Sequence, residues 1–141
     1  MTSTSISELN EKMKKFSQEF SQSLERKDFD HALKLSIEIL EELILIARED
    51  IVSILQDPYV KSIADDIIKG YEKSLSYVKG IIEGLKYVSP IYSIGEKERL
   101  VQVVASSINE LFSFIMGALI IVAELSSSNK RENRGITPGV V

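Results

Sequence analysis

Cysteine and tryptophan are absent from this 141-residue chain, and histidine occurs once. Without cysteine there is no disulfide, no thiolate chemistry and no cysteine-ligated zinc. One histidine, His31, cannot supply the paired Glu-x-x-His motifs of a di-iron bundle, and no glutamate stands three residues before it. A Ser-His-Asp triad fails for want of partners. There is no glycine-rich phosphate loop, because Gly80 and Gly84 fall in a helical pattern with no Lys-Ser/Thr signature after them. The formal net charge is −4, so the overall field does not attract nucleic acid and any such binding needs a local basic patch. The opening MTSTSISELNEKMKK is polar and predicts no signal peptide. A cytoplasmic setting and no cofactor are the expectations.

Hydrophobic residues make up 44 % of the chain and charged residues 27 %, which is the balance of a chain that folds around a core. The apolar residues recur with helical spacing in four segments. Ile6, Leu9, Met13, Phe16, Phe20 and Leu24 form one narrow stripe. After the turn "ERKDFD", a second helix begins at Asp28 or Asp30 as N-cap and carries a broad apolar face to Leu55. "QDPY" then supplies an N-cap, Asp57, and a proline at the first helical position. The third helix shows Val60, Ile63, Ile67, Tyr71, Leu75, Val78, Ile82 and Leu85, with Gly70, Gly80 and Gly84 allowing a close approach or a bend. "VSPIYSIGEKER" reads as a loop, and the fourth helix runs from about Glu96 to Ser126. The predicted fold is all-α: an antiparallel up-down-up-down bundle of four long helices. It occupies residues 6–127, between a flexible start, 1–5, and a flexible tail, 128–141.

"INELFSFIMGALIIVAELSSS" raises a question of solvent. Its uninterrupted apolar part, Leu111 to Ala123, falls short of the ~20 residues that cross a bilayer and is bracketed by Glu110 and Glu124. Membrane insertion is therefore not expected. The helix is nonetheless apolar nearly all round. Phe112, Ile115, Leu119 and Val122 form one face, and Phe114, Ile121 and Leu125 another. The second face is expected to meet another copy, making a homo-oligomer through the fourth helix; an unusually apolar core helix in a monomer is the alternative.

Lys12, Lys14 and Lys15, with Arg26 and Lys27, are the basic concentration of the folded part and the candidate contacts to single-stranded RNA or DNA. Phe16 and Phe20 lie close to them in sequence but on the buried stripe. Asp65, Asp66 and Glu72, with Glu38, Glu41, Glu42 and Glu49, are the acids a divalent cation would need. Most of them fall off the apolar seams, as a solvated face does. "RKDFDH" spells the Arg-x4-His of HEPN-type ribonucleases, but on a turn rather than within a late helix; solvated turn residues are the plainer reading.

Two stretches resemble the translin family, which includes translin and its nuclease partner Trax. "FSQEFSQSLERKDFDHALKLSIEILEEL" is similar to the opening hairpin of archaeal members. In "LFSFIMGALIIVAELS", Gly117, six intervening residues and then Glu124-Leu125 match the family spacing "dYLxGxxxxxxELxR", with Phe114 in place of tyrosine. Gly70 and Lys73 stand where Trax-type members have catalytic glutamates, and Ile120 where a later helix has aspartate. Of those acids Glu124 alone remains. The arginine- and histidine-rich segment used for nucleic acid is not visible, and the chain is shorter than family members. The resemblance thus implies a non-catalytic, oligomeric, translin-type bundle that binds single-stranded nucleic acid or a nuclease partner. A helical scaffold with no nucleic-acid role is the alternative, and a metal-dependent nuclease would need carboxylates converging inward.

Overall fold

The computed structural model describes residues 6–135, with side chains through 124 apart from Val122. Four long helices account for most of it: α1 (Ile6–Glu25), α2 (Phe29–Ile46), α3 (Pro58–Gly84) and α4 (Pro90–Gly135). Among the described residues there is no strand.

Local chemistry explains where the helices begin. Asp28 caps α2 by accepting from the His31 N–H at 3.1 Å. Asp57 caps α3 through the Tyr59 and Val60 N–H groups at 2.8 and 3.1 Å, with Pro58 in the first turn. The α1–α2 turn closes with a Schellman pair: the Asp28 N–H donates to the Ser23 carbonyl at 2.9 Å and the Lys27 N–H to Leu24 at 3.0 Å. That geometry needs a left-handed residue, and Lys27 adopts it with φ of 57°.

Three boundaries differ from the sequence expectation. The α-helical part of α2 ends at Ile46 and continues as a π-turn, Ala47–Ile51, and a short 3₁₀ turn, Val52–Ile54. The stretch "VSPIYSIGEKER" is helical from Pro90: the Ser89 hydroxyl accepts from the Tyr92 N–H at 3.3 Å, so Ser-Pro here starts a helix rather than a loop. Gly95 lies inside α4. At the other end, α4 continues to Gly135, through residues 128–135 that were expected to be tail. An established helix propagates into a polar sequence rich in Lys, Arg and Glu without a new nucleation step. Residues 1–5 and 136–141 lie outside the described residues.

The core is continuous. Leu9 from α1, Leu33, Leu40 and Leu43 from α2, Ile68 and Val78 from α3, and Val104, Ile108, Leu111 and Ile115 from α4 are buried together. Each such side chain contributes about 1.5–3 kcal/mol of apolar burial. The helix most closely packed with α4 is α2; α1 and α3 meet α4 far less. Small buried residues, Ala32 and Ser36 on α2 and Ala47 in the π-turn that follows it, favour this approach. The Ser36 hydroxyl is satisfied within its own helix, donating to Ala32 and Leu33 carbonyls. Glycine plays no such part: nothing lies within 4 Å of a Cβ built on Gly70, Gly80 or Gly84, so the close approach expected there does not occur.

Candidate functional site

Ion pairs across the helices set their register. Glu41 meets Lys79 at 2.7 Å and Arg48 meets Glu72 at 2.7 Å, so numbers rise along α2 as they fall along α3. Asp30 meets Lys97 at 2.8 Å, which puts the starts of α2 and α4 together. Tyr71 donates its hydroxyl to Glu110 at 3.1 Å between α3 and α4.

The most organised polar cluster centres on Arg48, in the π-turn. Its guanidinium holds Glu72 with two bonds, Nε to Oε2 at 3.1 Å and Nη2 to Oε1 at 2.7 Å, and reaches Asp65 through Nη1 at 2.5 Å. Lys69 joins Asp65 at 3.0 Å. Hydrogen bonds to Glu72 and Asp65 hold the Arg48 proton more tightly than usual. The hydrogen bond from Arg48, then that from Lys69, holds Asp65 below its ordinary pKa, and Arg48 does the same for Glu72. Burial and then the bond to Glu110 push the Tyr71 phenol up. Asp65 and Glu72, candidate metal carboxylates, are therefore neutralised by cations of the same chain. Among the described residues no three His, Asp or Glu side chains converge as a metal site. Arg48 was not singled out by sequence, because its partners lie across the Asp57-Pro58 turn and belong to another helix.

The basic candidates do not converge. Lys12 pairs with Glu42. Lys12 and Lys15 line a shallow groove between α1 and α2 whose other charged walls are Glu19, Glu38 and Glu42. Lys14 is exposed beside them, while Arg26 and Lys27 lie exposed at the turn, about 20 Å further along α1 by helical rise. Phe16 and Phe20 stack on each other, ring centroids 5.1 Å apart, and pack against the core. They are not a platform for bases. His31 and Arg26 are exposed.

Of the expected interface residues on α4, Phe114 is partly buried against the core and Ile121 is 58 % exposed. Its neighbour Ile120 is exposed too, and so are Val60, Ile63 and Ile67, spaced along one side of α3. From the Tyr71–Glu110 contact, Ile67 falls one turn before that level on α3 and Phe114 one turn after it on α4. By that level the exposed apolar residues of both helices lie toward the start of α3. Of the family-spaced residues, Gly117 and Glu124 are exposed on α4; the Leu125 side chain lies outside the described ones.

Within Pro90–Ile121, α4 is long and apolar enough to cross a membrane, with a mean hydropathy of 1.7 in its most apolar window and 22 % of that window buried. Counting the uninterrupted run alone understated this, since an average tolerates Asn109 and Glu110. No family model, curated protein or solved structure matches the chain.

Proposed function

We propose that this chain is a non-enzymatic helical interaction module that associates with copies of itself through α4. The observation that carries the reading is the exposed apolar surface made by Val60, Ile63 and Ile67 with Ile120 and Ile121. Large apolar side chains left exposed in a group mark interaction sites. The cross-helix ion pairs are consistent with an up-down-up-down bundle flattened so that α2 and α4 form its short diagonal. Membrane insertion is disfavoured on this reading: Val104, Ile108, Leu111 and Ile115 are buried against the other helices, and Glu110, within the apolar segment, is bonded to Tyr71. The test is Ile121→Asp. It yields monomers that keep their helical signal if the face is an interface; collapse of the helical signal would place Ile121 in the intramolecular core.

Translin-like binding of single-stranded nucleic acid is the second reading, and one observation favours it. Arg26 and Lys27 on the α1–α2 turn and Tyr87 and Tyr92 at the α3–α4 connection are all exposed; in an up-down-up-down bundle the two connections share an end, and cations with accessible rings suit a single strand. Titration of single-stranded RNA at several salt concentrations decides it. A negative slope of log affinity against log salt supports binding, and no binding at low salt leaves the scaffold.

A further inference from the structure

Helix α3 buries side chains from Ala64 onward and none before it: Ala64, Ile68, Leu75 and Val78 face the core, while Tyr59, Val60 and Ile63 are exposed. Helical phase does not account for the difference. Val60 and Val78 stand eighteen residues apart, about five full turns, so both point to the same side of α3. Val78 is 4 % exposed and Val60 47 %. The core-facing side of α3 is therefore uncovered in its first two turns.

The apolar residues that would cover it are on α4 of the same chain. With α3 and α4 antiparallel, as in the bundle proposed above, the bond from Tyr71 to Glu110 fixes their register. Val60 precedes Tyr71 by eleven residues and Ile121 follows Glu110 by eleven. About three turns each way bring both to one level, on nearly the same side as the bonded pair. Ile67 and Phe114 stand between, each four residues from the bond. Phe114 packs against the core, whereas Ile67 is exposed and Ile121 is 58 % exposed. The two helices part below Tyr71–Glu110, and the residues set to face one another across the gap are apolar.

What holds α3 open is on its other side. Asp65, about 140° round the helix from Val60, is bonded to Arg48 of the π-turn at 2.5 Å. The chain ahead of α3 is jointed, with a 3₁₀ turn at Val52–Ile54 and an extended Leu55. Within α3, Gly70 has nothing within 4 Å of its Cβ position, and glycine is where a helix bends most readily. Asp57 keeps the first turn helical through the Tyr59 and Val60 N–H groups, so the segment moves as one piece.

We propose that residues 58–69 form a strap that closes on α4, seating Val60 against Ile121 and Ile67 against Phe114, with Arg48 as the latch that holds it open. Closing gives up the Arg48–Asp65 bond and keeps the two bonds to Glu72. Ile120, about 100° round α4 from Ile121, stays outward in both forms. In the open form Val60 and Ile121 are offered to a second copy, so closing competes with self-association; that consequence rests on the reading above, and closing itself does not.

The chain has no cysteine, so spin labels on Val60→Cys with Ile121→Cys report a single pair of sites. Dilution with excess unlabelled chain removes distances between copies. Two distances are expected in the full-length protein, a short one for the closed strap and a long one for the open. Arg48→Met at least doubles the short fraction, and Asp65→Asn, which leaves Arg48 its hold on Glu72, gives the same shift. Labels on the exposed pair Tyr77→Cys with Val103→Cys, beyond the Tyr71–Glu110 bond, give one distance. A single long distance that neither latch variant changes overturns the strap, as does a single short one. Two distances at the Tyr77 and Val103 sites would mean that α3 swings as a whole, and overturn it too. The short fraction falls as total chain concentration rises; a fraction indifferent to concentration overturns the competition and leaves the closing in place.

Discussion

Lys27 shows what a single backbone position costs. It occupies the left-handed site of the α1–α2 turn, with φ of 57°, where a side chain carries a penalty of about 1–2 kcal/mol. Lys27→Gly is expected to raise the thermal midpoint by a few degrees, less than that penalty implies because glycine also loosens the unfolded chain; an unchanged midpoint would mean the turn is not under strain. Arg48 makes a prediction in pH. Asp65 and Glu72 have folded pKa values below their unfolded ones. Their contribution to stability is therefore present above the unfolded carboxylate range, about pH 4, and is lost as pH falls through the folded values. Arg48→Met should lower stability at neutral pH by about 1 kcal/mol and flatten the acid limb of the stability profile. A parallel shift at all pH values would assign Arg48 a packing role instead. Caps were legible at this scale, since Asp28 and Asp57 act on N–H groups two or three residues away. The Arg48 cluster was not, because its partners are set by the α2–α3 register.

Among the elements, the existence of each helix was readable from apolar spacing, and the boundaries were less so. Pro90 and Gly95 carry loop chemistry by composition, yet Ser89 caps the helix that Pro90 opens and Gly95 rides within it. The polar end of α4 gives no periodic signal, and helix propagates through it regardless. The π-turn at Ala47–Ile51 leaves no mark on the apolar pattern. The glycines of α3 yield a direct prediction. With open space at its Cβ position, Gly80→Ala should stabilise the chain by about 0.5–1 kcal/mol. Destabilisation would reveal a close neighbour there. By contrast, Ile68 is fully buried, and Ile68→Ala should cost about 2–5 kcal/mol in chemical denaturation. A loss under 1 kcal/mol would place Ile68 outside the cooperative core.

At the scale of the molecule, periodicity told which side of each helix avoids water but not which helix answers it. The second apolar face of α4 was visible in sequence. That Phe114 turns partly to the core while Ile121 stays exposed depends on α4 packing chiefly on α2. The basic residues near the N-terminus looked like a patch in sequence; folding brings Glu42, and the acids lining the Lys12 groove, up against them. Exposed apolar residues lie at the α3–α4 connection, Tyr87, Ile91, Tyr92 and Ile94, and on a second surface, Val60, Ile63 and Ile67 of α3 with Ile120 and Ile121 of α4. The central claim is that a second copy covers this surface. Equilibrium sedimentation of the full chain across the micromolar range tests it most directly. The account predicts a reversible dimer that dissociates on dilution; a single species at the mass of one chain, unchanged at the highest concentration, would contradict it.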